Sequence, residues 1–189
     1  MKNLLFILLL SFSFTQDYSL YFDGNDSDIS INNLNFPNDQ FTIQFFVKME
    51  EEIEGRQLFY HGSSNYSGSY GAYTFLIDIG NTLYTNMSSS EGGEHNLNSE
   101  IKMNDGAWHN VSITYNNGIV THYIDGQKEG ERITESNSLV DNDFTSIGVG
   151  VNQAQQFEGL LYQFKIFNFP LTEEQIESNI LYETENDEE

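Results

Sequence analysis

Cysteine is absent from the 189 residues. No disulfide can brace this chain and no thiolate can hold a metal. Proline occurs only twice, so extended segments meet few fixed breaks. Lysine and arginine together number seven against 29 acids, and the formal net charge is −22. A surface of that sign repels nucleic acid and anionic lipid, which excludes phosphate-backbone recognition as a role. Long apolar runs are scarce as well. Leu4 to Phe14 is apolar except for Ser11 and Ser13. As a helix it would span roughly 16 Å, too short for a bilayer core of about 30 Å. With Lys2 before it and the small residues Ser11, Ser13 and Thr15 near its end, it reads as a signal peptide over residues 1–16. Secretion follows, with no membrane insertion after cleavage. Enzyme signatures are missing too. There is no G-x-S-x-G, no H-E-x-x-H and no phosphate loop, and His61, His95, His109 and His122 lack paired metal spacing.

Aromatic residues are plentiful: fifteen Phe and eleven Tyr, beside fifteen Gly. Phe and Tyr suit a pleated, half-buried surface, and Gly suits tight turns. Strand patterns follow through the chain: Tyr18–Asp23, Asp28–Asn32, Gln40–Met49, Gln57–His61, Ala72–Ile79, Thr82–Met87, Trp108–Tyr115, Ile119–Ile124, Phe144–Val151 and Phe157–Phe169. Asn117-Gly118 predicts a two-residue hairpin turn and Asp125-Gly126 a second one. Glu50–Gly55 and Ser88–Glu94 read as polar loops. A helix is expected near Leu171–Leu181, opened by the capping box Thr172-Glu173-Glu174-Gln175. The acid-rich Glu183–Glu189 reads as a disordered tail. Many short strands and almost no helix make an all-β domain over residues 17–182, an antiparallel sandwich or barrel.

Four ordered segments resemble the laminin-G-like jelly-roll domain of the concanavalin A-like lectin/glucanase superfamily, to which pentraxins belong. The first is Leu20-Tyr21-Phe22-Asp23-Gly24 with Asp28-Ile29-Ser30-Ile31; the second is Phe41–Val47. The third joins Asp105-Gly106-Ala107-Trp108-His109-Asn110-Val111 to Tyr123-Ile124-Asp125-Gly126. The fourth joins Phe157–Ile166 to Leu171–Ile176. The resemblance implies a two-sheet antiparallel jelly-roll sandwich. Relatives with a calcium site often carry two acids where this chain has Tyr162-Gln163.

Within that frame Val111, Ile113 and Tyr115 should share the core face with His109, which is expected to be a hydrogen-bonded buried histidine. Trp108 should face the other way. Asp23, Asn25, Asp26 and Asp28 form a turn whose oxygens could hold calcium weakly, since a hard cation wants several oxygen ligands; a plain polar turn is the alternative. The Gly/Ser-rich loop from Gly62 carries Tyr66, Tyr70 and Tyr73, rings able to stack on sugars or simply to cover the sandwich end. Related glucanases place acids on one strand as E-x-D-x-E, the retaining arrangement of paired carboxylates. The formal match here, Glu185–Glu189, lies in the polar tail and is a chance match. The expected function is a secreted, non-catalytic, glycan-binding module. An extracellular protein-binding adhesion or assembly module is the alternative, and a glycoside hydrolase ranks below both.

Overall fold

The structure is a computed structural model that describes residues 19–37, 39–50, 56–62, 73–79, 81–88, 94–134, 144–149 and 156–186. In chain order the strands are β1 (Leu20–Asp23), β2 (Ile29–Asn32), β3 (Gln40–Lys48), β4 (Arg56–Gly62), β5 (Tyr73–Ile79) and β6 (Leu83–Ser88). They continue with β7 (Glu94–Asn98), β8 (Trp108–Asn116), β9 (Ile119–Ile124), β10 (Gln127–Ile133), β11 (Phe144–Ile147) and β12 (Glu158–Phe167), followed by helix α1 (Glu173–Asn186). They build two six-stranded antiparallel sheets. The first has the order β1-β12-β3-β8-β9-β10 and the second β2-β11-β4-β5-β6-β7. This is a jelly-roll sandwich.

Period-two alternation decides which side chains meet between the sheets. On β3, Phe41, Ile43, Phe45 and Val47 are fully buried, and they lie beside Tyr115, Ile113, Val111 and His109 of β8 in register. From the second sheet Phe59, Ile77, Ile79, Leu83 and Met87 close the same core. Phe164 ties the layers together, since its ring stacks 5.5 Å from Phe45 and 5.7 Å from Phe59. At about 25 cal/mol per Å² of apolar area, the burial of so many large rings is the main force holding the sheets face to face.

The turns match their residues. Asn117 and Gly118 have φ of 46° and 89°, the left-handed pair that a hairpin's twist requires. The helix opens as its capping box dictates: Thr172 Oγ1 accepts from the Gln175 amide at 3.3 Å, and Gln175 Oε1 accepts from the Thr172 amide at 2.9 Å. It packs on the outer face of the first sheet, where Ile176 is fully buried. Thr42 Oγ1 accepts from the Leu171 amide at 2.8 Å, and Asn179 Nδ2 donates to Gln44 Oε1 at 3.0 Å.

Three features depart from the pattern reading. Strands β7 and β10 carry little apolar periodicity and were not foreseen, and β7 begins at Glu94, where a loop was expected. Both lie at sheet edges, where one neighbouring ladder is enough and no buried stripe is needed. The helix also runs past Leu181 to Asn186, into the segment expected as a disordered tail. Propagating a nucleated helix is cheap, and Glu is a good helix former, so the acids Glu183 and Glu185 are carried along. The expected signal peptide lies outside the described residues.

Candidate functional site

The Asp23–Asp28 turn closes on itself. Asp23 Oδ1 accepts from the Asn25 amide at 3.0 Å, the Asp26 amide at 3.3 Å and Ser27 Oγ at 2.9 Å. These donors, the Asn25 amide first, hold the carboxyl down at about 2. Asn25 Nδ2 donates to the Asp23 carbonyl at 3.0 Å, and Asp28 Oδ2 accepts from Ser30 Oγ at 2.9 Å. One oxygen of Asp23 is thus saturated by local donors. Among the described residues no three acids or histidines converge in a way that could hold a metal ion. The arrangement is that of a side-chain-capped turn.

His109 sits where its parity places it, 8% exposed. Its Nδ1 lies 2.9 Å from Asp125 Oδ2 and its Nε2 lies 3.2 Å from Asp105 Oδ1. Asp125 also accepts from the Asn110 amide at 2.8 Å, and Asp105 from the Ala107 amide at 2.9 Å. Burial alone would lower the imidazole's pKa. The hydrogen bonds to Asp125 and then Asp105 outweigh it, and the net shift is upward. Two carboxylates holding the two nitrogens of one imidazole make a structural clamp that ties the loop before β8 to the β9–β10 turn. It leaves neither ring nitrogen free for chemistry.

A different face carries unmet chemistry. On β5, Ile77 and Ile79 point into the core, so Asp78 points outward from the second sheet. The cross-strand register lines Gln57, Asp78, Tyr84 and Asn98 into one transverse row. In the next row Tyr60 and Asn86 flank Leu76, followed by Asn96. Asp78 Oδ1 and Asn86 Oδ1 are both buried without a hydrogen-bond partner. Burial pushes the Asp78 carboxyl up to about 6. Asn86 Nδ2 donates to Tyr84 Oη at 3.1 Å, which turns its free oxygen to the same face. Two bare acceptors beside a phenol ring ask for hydroxyl or amide donors. A carboxylate with a raised pKa beside a second unpartnered oxygen is where a ligand site is expected.

Of the sequence candidates, Tyr66 and Tyr70 lie outside the described residues. Tyr73 opens β5, the strand that carries Asp78, and its side chain is likewise outside them. The Gln57–Asp78 pair lies at the end of β4 and β5 away from Gly62 and Tyr73, between which the segment 63–72 runs in sequence. Asp78 was passed over because its strand reads as apolar. The signal was there: it is the single acid within Tyr73–Ile79. Glu185 falls at the end of α1 rather than on a strand.

A laminin-G-type family model, described as the concanavalin A-like lectin/glucanases superfamily, matches residues 23–177. The chain belongs to this family. Its fold is shared by a native heptameric SAP-like pentraxin from Limulus polyphemus, at TM-score 0.65 and 16% identity over 85% of this chain and 80% of that one. The binding domain of Paraclostridial Mosquitocidal Protein 1 matches at TM-score 0.67 and 19% identity over 85% of this chain. A botulinum neurotoxin serotype D ligand binding domain, solved in complex with N-acetylneuraminic acid, matches at TM-score 0.64 and 20% identity over 89%. The chain spans 42% of each toxin binding domain, so it corresponds to part of them. Two of these neighbours are named as binding domains, and what the likeness shows for this chain is the jelly-roll fold. Gln163 stands at φ 51° in a bulge of β12 and donates to Tyr162 Oη at 2.8 Å.

Proposed function

We propose that this domain is a secreted, non-catalytic module that binds a glycan on the outer face of its second sheet. The observation that carries the reading is Asp78. A carboxylate oxygen buried without a hydrogen-bond partner, as Asp78 Oδ1 is, costs stability, and such groups persist where a ligand supplies the missing donor. Asp78 and Asn86 would accept from sugar hydroxyls, and the Tyr84 ring beside them offers an apolar floor. The tyrosines at 66, 70 and 73 remain candidates for stacking on sugar rings in this reading. Affinity should be modest, because sugar hydroxyls exchange good water hydrogen bonds for protein ones. Calcium at the Asp23–Asp28 turn enters this reading only as a test, since that turn is closed by its own bonds.

A glycan array read with the wild type and Asp78→Asn tests the proposal. Array signal should fall by about tenfold in the variant, the loss of one charge-assisted bond. Its folding stability above about pH 6 should rise by about 2 kcal/mol, because a buried charge has been removed. An array without hits, together with capture of an extracellular protein that Asp78→Asn also loses, would move the site to the protein-binding class. Release of reducing ends from any bound glycan would overturn the non-catalytic reading.

A further inference from the structure

The outer face of the first sheet presents a second row that nothing above uses. Tyr21 pairs with Leu160, Leu160 with Lys48, and Lys48 with Trp108, so four side chains from β1, β12, β3 and β8 line up across the strands on one face. Their neighbours along the strands, Phe22, Leu161, Val47 and His109, are the ones that point to the core. Tyr21 is 64% exposed and Trp108 is 43% exposed, although each could have been buried by a shift of one residue. In the adjacent row Tyr162 pairs with Phe46, their rings 5.9 Å apart. Helix α1 packs on Thr42 and Gln44, further along β3, and these rows lie beyond that contact. Lys48 makes no ion pair among the described residues, in a chain where acids outnumber lysine and arginine by 29 to seven.

We infer that this face is a second carbohydrate platform, for a neutral linear glycan lying across the strands. Tyr21 and Trp108 are separated by three interstrand spacings, about 14 Å, which suits a short oligosaccharide with a ring stacked at each end. Between them Lys48 donates to hydroxyls over the apolar floor of Leu160. One step along the same strands, Asp23 and Glu158 face each other and supply acceptors at the rim. Those two acids and the net charge of −22 select against uronate or sulfated polymers, nucleic acid and anionic membranes. A stable protein interface needs about 800 Å² on each partner with a continuous apolar centre, whereas here Lys48 interrupts the row between Leu160 and Trp108. The platform does not depend on Asp78. With the two sites on opposite faces of the sandwich, one copy could cross-link glycan chains, and avidity would replace high single-site affinity.

Affinity gel electrophoresis in soluble galactomannan and in β-1,3-glucan, with alginate as the charged comparison, tests this. Wild type, Trp108→Ala, Tyr21→Ala and Asp78→Asn are run side by side, with thermal melts of each. Trp108→Ala is expected to weaken retention in one of the neutral polymers by about tenfold, the cost of one stacking contact. Tyr21→Ala should do likewise with its melting temperature little changed, because its ring is 64% exposed, while Trp108→Ala, which removes a ring more than half covered, is expected to melt lower but to be fully folded at the temperature of the gel. Retention by this face should survive in Asp78→Asn. Unchanged retention of both aromatic variants, or stronger retention in alginate than in the neutral polymers, would overturn the inference while leaving the Asp78 reading standing. A concentration-dependent dimer in sedimentation that Trp108→Ala abolishes would also overturn it, and would assign the face to a second copy. Loss of array signal in Asp78→Asn alongside unchanged Trp108→Ala binding separates failure of this platform from failure of the other site.

Discussion

Replacing Asp125 by Asn separates charge from shape in the clamp around His109. Asp125 has φ 51°, a left-handed conformation that Asn tolerates as well as Asp, so the turn should survive. Asn can also keep the bond from the Asn110 amide, 2.8 Å in the wild type. What disappears is the carboxylate facing the imidazolium at 2.9 Å. A hydrogen bond to a charged group contributes roughly 1.5–3 kcal/mol. The Asp125 side chain is 53% exposed, so solvent screening reduces this to about 1 kcal/mol. The sign with pH follows from His109, whose pKa is raised in the folded chain. Its contribution is complete below the unfolded value of about 6.5 and fades as pH rises through the folded value. Urea unfolding at about pH 5.5 and again about two units above the usual imidazole pKa checks it. The variant should be about 1 kcal/mol less stable than the wild type in acid, with the gap closing in base. Comparing the two proteins at each pH cancels the contribution of every other titrating group. An equal gap at both pH values would show that the clamp acts through shape and not through charge.

Three further outcomes follow from other sites. His122 lies in the core with Nε2 2.8 Å from Thr85 Oγ1 and Nδ1 without a partner, and burial lowers its pKa to about 3. Its sign is opposite to that of His109: stability is lost as pH falls below about 6.5, so His122→Leu should flatten the acid limb of a circular dichroism titration. A Cβ at Gly148 would come within 2.4 Å of the Phe22 ring and 2.9 Å of the Ser27 carbonyl, at φ 89°, so Gly148→Ala should cost about 3 kcal/mol or more by urea melt. Calcium at millimolar level is expected to leave the melting temperature unchanged, because Asp23 Oδ1 is saturated by the turn. A rise abolished by Asp28→Asn would instead show the turn's oxygens rearranging around the ion.

What was legible in the sequence was local. Asn117-Gly118 specifies its turn through backbone sterics, and Thr172 with Gln175 specifies the helix start through two bonds three residues apart. Period-two alternation assigned Val111, Ile113, Tyr115 and His109 to the core and Trp108 to the opposite face, because a strand's pleat is an intrinsic property of the chain. The order of the sheets and the edge strands β7 and β10 required the partner strands to be present. Edge strands are held by ladder bonds rather than by a buried stripe, and their composition does not announce them. Both candidate surfaces belong to this second class. Gln57 meets Asp78, and Tyr21 meets Leu160, only through register between strands far apart in the chain. The bare oxygen of Asp78 likewise arises only when its surroundings close over it. Residue type and spacing along one chain determine dihedrals, alternation and caps. Which side chains share a face across strands is decided by pairing, and pairing is a property of the whole packed sandwich.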